Sequence, residues 1–393
     1  MRKHWIDNLR WVTVLLVLLY HVFYFYNNKG VFGGIGGFGE WPQCKQYQDI
    51  IMYILYPWFM PLLFLLAGIS ARYALEKKSA REWFAARTRK LLVPGTIGLF
   101  VFHWMVGYFN TAVARGTGVF DDMPAVAKYI MMSISGTGPL WFVQVLWLLC
   151  IVLLAVRALD RRDRFYNWCG KLFGGPAKTS TADNSSPQMA QNGRQSTGRI
   201  FAIILLGILF WAGEQTLIKN PRPESADGLL NLYKPLFYLV PFLLGYFVFS
   251  HEAVQENVKK AWIPLLSAAC AAGIALIATT FGQDNTSPQY LGSPLNCAYG
   301  WLACLGLMGW FAAKADHTGP FSTYMTKSSY GIYIVHYLVI ASLGYMMKQY
   351  TQLPPVAMYV IFTVAVLALS PLLYELLHRI PFIRWCVFGE KKR

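Results

Sequence analysis

Ten apolar stretches of about 20 residues recur along this 393-residue chain, and they leave it few folds to choose from. They lie near 7–26, 51–74, 91–113, 138–157, 200–216, 234–250, 261–281, 295–313, 329–347 and 355–379. A helix rises about 1.5 Å per residue, so each stretch is long enough to cross a hydrocarbon core of about 30 Å. Charged residues make up 14% of the chain, well below the roughly 25% of soluble domains. The expectation is an all-α polytopic membrane protein with about ten transmembrane helices.

An even number of spans puts both termini on one side. Segments on that side carry 26 Lys and Arg, and the opposite loops carry 8. The positive-inside rule makes the lysine-rich side cytoplasmic, so both termini are predicted to be cytoplasmic in a multi-pass protein of a cell membrane. The same bias accounts for the net charge of +16 without a nucleic-acid partner. The first stretch has no small-residue cleavage site after it and is read as a retained anchor. The whole chain, 1–393, is expected to form a single membrane domain. Residues 160–198 are polar and lack apolar periodicity, so they read as a cytoplasmic, disordered linker between four spans and six. There is no internal repeat of the kind transporters use. Seven cysteines show no CxxC or CxxH spacing, so no metal site is expected. Cys44 and Cys297 pair only if the outer side is oxidising. The glycine-rich run GVFGGIGGFGE in the first outer loop is either a flap over the outer mouth or a plain linker.

The ionisable residues inside the spans carry the chemistry. Arg10 and His21 are eleven residues apart in the first stretch, about 16 Å along a helix axis. With Arg10 at one membrane face, His21 lies near the midplane, where an ionisable group reads as functional. Asp7 is read as a cap of this helix, with Arg10 also within its reach. The basic run before the third span includes Arg81, Arg87 and Lys90, and the last two share a helical face. Such a group suits a phosphate-rich ligand. In the third span His103 is read as an interhelical hydrogen-bonding histidine. In the fourth, Trp141 is an interface residue and Gln144 a helix–helix partner. Glu214 lies at the outer end of the fifth span. In the ninth, Ser328 or Ser329 is placed as the helix cap, and Tyr333 shares a face with His336. Glu375 and His378 in the last span are spaced to touch and are read as structural.

Taken together, five segments resemble one family. DNLRWVTVLLVLLYH is similar to the first helix of the acyltransferase-3 family, whose mark is Arg or Lys, ten residues, then His. LLFLLAGISARYAL resembles the end of its second helix, with Ala67-Gly68-Ile69 where Ser-Gly-Phe is usual. FAARTRKLLVPG resembles its basic motif, usually two arginines three apart; here Lys90 takes the second place, keeping the charge and losing the fork. GPLWFVQVLWLL and SSYGIYIVH resemble its fourth helix and its late Gly-x-Tyr-x-x-His helix.

The resemblance implies O-acyl transfer from cytoplasmic acyl-coenzyme A to a hydroxyl of an envelope carbohydrate or related acceptor, acetyl or succinyl being the expected groups, with no metal. His21 is then the general base. Arg10, Arg81, Arg87 and Lys90 would hold the coenzyme. His336 and Tyr333 are the candidates to stabilise the oxyanion, and Trp141 and Glu214 the candidate acceptor contacts. Direct attack and a covalent acyl-histidine both fit. The rival reading is a proton-coupled transporter or flippase of an envelope precursor, in which the same histidines carry protons.

Overall fold

The computed structural model describes residues 3–25, 50–160, 162–175, 197–217, 235–283, 288–350 and 355–391. The glycine-rich loop, Cys44 and positions 176–196 of the linker lie outside them.

The regular elements among the described residues are all helices. In chain order they are α1 (His4–Phe25), α2 (Ile50–Leu75), α3 (Ala80–Val113), α4 (Ala125–Ser135), α5 (Leu140–Leu159), α6 (Arg164–Cys169), α7 (Thr197–Thr216), α8 (Leu236–Phe249), α9 (Glu252–Lys260), α10 (Trp262–Thr280), α11 (Pro294–Lys314), α12 (Pro320–Tyr350), α13 (Pro355–His378) and α14 (Pro381–Cys386). Nine of them are long and apolar enough to cross a membrane, and a tenth span results if α8 and α9, bent by 100°, count as one. All ten apolar stretches are thus found as helices.

Four local expectations change. α3 begins at Ala80, so Arg81, Arg87 and Lys90 belong to the spanning helix itself. α12 begins at Pro320, which puts Ser328 two turns inside; its hydroxyl donates to the Tyr324 carbonyl at 2.9 Å instead of capping. α4 is a short apolar helix within a segment read as outer loop. The first part of the linker is helical, as α6 followed by a π turn at Gly170–Gly174.

The helices fall into two compact units. The first comprises residues 1–10, 57–80 and 149–318. Its seam is the approach of α2 to α8 at Gly68 and Gly245. A Cβ on Gly68 would land on the Phe242 carbonyl oxygen, and one on Gly245 on the Leu65 carbonyl oxygen. In lipid there is no hydrophobic drive between helices, so close backbone approach of this kind is what holds them. At the end of α2, Arg72 bonds Asp163 at 2.8 Å and Glu76 at 3.0 Å, and its guanidinium lies 3.6 Å over the Tyr166 ring. The Arg72 hydrogen bond holds the Asp163 carboxyl below the usual carboxylate range. The start of α1 is fixed by Asp316, whose carboxylate accepts from the Trp5 amide at 3.0 Å, and by Asn8, which donates to the Ala315 and His317 carbonyls.

The second unit comprises residues 11–56, 81–148 and 319–393. α3 packs on α4 and α12, and α12 on α13. α3 contains two π turns, at Thr88–Leu92 and Leu99–His103. Single π turns inside α-helices are rare and recur at functional sites. α14 lies against α3 where Gly98 faces the Cys386 carbonyl, and His378 pairs with Glu390 at 2.9 Å.

Candidate functional site

Three helices of the second unit bring histidines together. His21 comes from the end of α1, His336 from the middle of α12 and His103 from the second π turn of α3. His336 and His103 are fully buried, and His21 keeps some exposure.

The nitrogens of His21 and His336 define one another. His336 Nδ1 lies 2.5 Å from the Tyr333 carbonyl oxygen, one turn back on α12. A carbonyl only accepts, so Nδ1 carries the hydrogen and Nε2 the lone pair. That Nε2 lies 3.1 Å from Nδ1 of His21. In the tautomer in which both rings are neutral, His21 Nδ1 is the donor in that contact and the lone pair falls on Nε2; the Val17 carbonyl, one turn back on α1, is a second acceptor at this ring. The result is an imidazole whose orientation is set by a second imidazole. The Tyr337 ring meets His21 edge to face at 5.3 Å and closes the other side.

The turn Gly136–Pro139, between α4 and α5, braces this arrangement. The Tyr333 hydroxyl donates to the Pro139 carbonyl at 2.5 Å. His103 Nδ1 donates to the Gly136 carbonyl at 3.1 Å. Gly138, at φ +37°, takes the left-handed region that glycine tolerates best, and a Cβ there would sit 3.4 Å from the Tyr337 ring. One four-residue turn therefore bonds to two of the three helices that carry the histidines. Gln144 donates to the Gly95 carbonyl at 2.8 Å, the helix–helix role read from its sequence.

The expected oxyanion donors have other partners. Tyr333 spends its hydroxyl hydrogen on Pro139, and neutral His336 spends its single N–H on Tyr333. Both side chains are thus bonded within the protein. His103, read from sequence as a satisfied interhelical histidine, joins the group; its GTGP partner turn was visible in the sequence, but the pairing is not a matter of spacing.

The cations lie elsewhere. Arg10, in the first unit, donates to Asp7 at 3.1 Å and to the Ser70 hydroxyl at 2.7 Å. Asp7 is inside the helix that begins at His4, so it orients Arg10 instead of capping. On α3, Arg87 lies over the Trp83 ring, while Lys90 lies over the Tyr330 ring and 3.9 Å from Glu390. Lys90 lies within the π turn at Thr88–Leu92 and Arg87 just before it, and the two meet different neighbours despite their spacing of three. Arg81 is exposed at the start of the helix. Trp141 is half-buried on the first turn of α5, two residues past Pro139, and Glu214 is buried in the first unit on α7. Among the described residues no group of three or more His, Cys, Asp or Glu is arranged to hold a metal.

Residues 3–375 match the family model described as an acyltransferase domain, that of the acyltransferase-3 family. No curated protein and no solved structure gives a match. The matched span takes in all three histidines, the Gly136–Pro139 turn and the basic start of α3. With that match over almost its whole length, and with nine or ten membrane-crossing helices, the chain is a multi-pass membrane protein belonging to the acyltransferase-3 family.

Proposed function

We propose that the protein moves an acyl group, acetyl or succinyl, from cytoplasmic acyl-coenzyme A to a hydroxyl of an envelope carbohydrate. The observation that carries this reading is the 3.1 Å contact of His336 Nε2 with His21 Nδ1, which in the neutral tautomer leaves the lone pair on His21 Nε2. The acceptor hydroxyl gives its proton to Nε2 as its oxygen attacks the thioester carbonyl. His21 is then an imidazolium whose Nδ1–H still donates to the neutral His336 lone pair, which stabilises the charge. Collapse of the tetrahedral intermediate breaks the C–S bond, and the coenzyme thiolate takes the proton back from His21. The cycle consumes one thioester and one hydroxyl and yields one ester and one thiol. His336 and Tyr333 serve as positioning residues for the base.

Both termini face the cytoplasm, following the charge bias of the loops. The coenzyme then approaches from the end of α1 that carries Arg10. Arg81, Arg87 and Lys90, in the first three turns of α3, hold its phosphates through charge-assisted bonds. Eleven residues of α1 separate Arg10 from His21, about 16 Å, a distance of the order an extended pantetheine arm covers. Trp141, next to the Gly136–Pro139 turn, contacts the acceptor on the other side, and Glu214 is the second acceptor-side candidate.

The test is mass spectrometry of envelope glycans from cells with and without the protein. A glycan that loses an acetyl or succinyl mass in the deletion names donor and acceptor together; an unchanged glycan profile rejects the carbohydrate. Transport of an envelope precursor without acyl transfer would reject the enzyme. In purified protein, Arg87→Ala should raise the KM for the coenzyme about tenfold, the loss of one charge-assisted bond, with turnover at saturation retained. An unchanged KM would remove Arg87 from the phosphate site.

A further inference from the structure

The third histidine has an atom that neither the fold nor the mechanism uses. His103 is fully buried, and its Nδ1–H is committed to the Gly136 carbonyl at 3.1 Å. In the neutral ring Nε2 is therefore a lone pair. That Nε2 is buried and no group among the described residues bonds to it. Buried polar atoms are almost always paired, and one left over calls for an explanation. A histidine wanted only to tie α3 to the turn needs one nitrogen; asparagine would do it with less bulk.

We infer that His103 Nε2 accepts a hydrogen bond from a second hydroxyl of the acceptor, one adjacent to the hydroxyl that reacts at His21. This rests on the acyl-transfer reading above and assigns a second contact to its carbohydrate acceptor. A lone pair can only receive, so its partner must bring an O–H or N–H. His103 bonds Gly136, three residues from the Pro139 carbonyl that Tyr333 bonds. It is thus held by the turn that holds Tyr333, whose carbonyl fixes His336. The turn bonds His103 directly and reaches His21 through α12, by way of Tyr333 and His336, so the two imidazoles belong to one bonded network, which suits a substrate with more than one hydroxyl. The coenzyme also has amide N–H groups. The basic residues proposed for its phosphates, however, end at Lys90, thirteen residues and about 20 Å along α3 from His103. The far position fits the acceptor better than the donor.

Two substitutions separate binding from structure. Asparagine places its amide where Nδ1 was, so His103→Asn keeps a donor for Gly136 and loses the lone pair at Nε2. Glutamine places its oxygen where Nε2 was, so His103→Gln keeps an acceptor there and loses the Gly136 bond. Both would be assayed as full-length protein in detergent or lipid nanodiscs. Acetyl- and succinyl-coenzyme A serve as donors, and the glycan fraction of cells lacking the protein as acceptor. Melting temperatures are recorded alongside. His103→Asn should raise the KM for the glycan fraction about tenfold or more, the loss of one hydrogen bond, while the KM for the coenzyme stays within twofold. His103→Gln should bring the glycan KM back toward the wild-type value. A glycan KM within twofold of wild type in folded His103→Asn overturns the inference. So does an effect confined to the coenzyme KM, which would put the pantetheine amide at Nε2. If His103→Asn does not fold, His103→Gln decides: a glycan KM near wild type supports the inference and a tenfold rise overturns it. Wild-type protein that transfers no acyl group to the fraction rejects the parent reading and the inference with it, whereas active wild type with an indifferent His103→Asn rejects the inference alone.

Discussion

His21→Ala should lower turnover by about 10²- to 10⁴-fold, the usual contribution of a positioned general base, with the KM for acyl-coenzyme A changed little. The size follows from what the lone pair replaces. Without it, the attacking hydroxyl must lose its proton to water, which a buried site admits poorly, or attack while still protonated. The donor should bind as before, because the proposed phosphate contacts lie at the other end of the helices. His336→Phe should give a smaller loss, about tenfold, since the base survives and only its orientation and the stabilisation of its charge are lost. The order of the two effects distinguishes base from brace. Single-turnover transfer of labelled acyl groups in purified protein measures both. Undiminished turnover in His21→Ala would remove the base, and a larger loss in His336→Phe would reverse the roles.

Gly68→Leu should leave almost no folded protein, an effect on stability rather than chemistry. The first atom of any side chain at 68 falls on the Phe242 carbonyl oxygen, and the neighbouring Gly245 Cα would be 3.1 Å away. No rotamer moves a Cβ, and the obstacle is backbone, so α2 and α8 have to part. Overpacking a core costs about 1–3 kcal/mol where side chains are able to shift. Here a whole seam of dispersion contacts opens, and the cost should lie at or above the top of that range. Gly68→Ala already introduces the clash and should lower the melting temperature in detergent by several degrees or more. Gly198→Ala is the control, because a Cβ there meets nothing within 4 Å. A Gly68→Ala protein that melts with the wild type would show that the helices do not meet as closely as described.

The ten spans were legible because the requirement behind them is local. Each needs about 20 apolar residues and internally paired backbone, and both are written in consecutive positions. Boundaries were less legible. α3 starts eleven residues before its apolar core because Arg81, Arg87, Arg89 and Lys90 are no obstacle to a helix outside hydrocarbon. α12 likewise extends back to Pro320, past the serines that look like caps. The π turns left no mark in the apolar pattern, although one of them carries Lys90 and the other carries His103.

The sequence by itself determined that the chain crosses a membrane about ten times, that His21 and His336 are ionisable groups inside it, and that its motifs resemble one acyltransferase family. Those conclusions need only residue type and spacing along the chain. Only the tertiary structure decided that His21 Nδ1 meets His336 Nε2, that the Tyr333 hydroxyl is bonded to Pro139, and that His103 bonds the same turn. A ring's hydrogen bonds depend on what each nitrogen touches, and here, beside the Tyr333 carbonyl three residues from His336, the partners come from positions 33 and 315 residues away in the chain. No local pattern encodes which carbonyl or imidazole will be brought within 3 Å, because that is fixed by how helices pack.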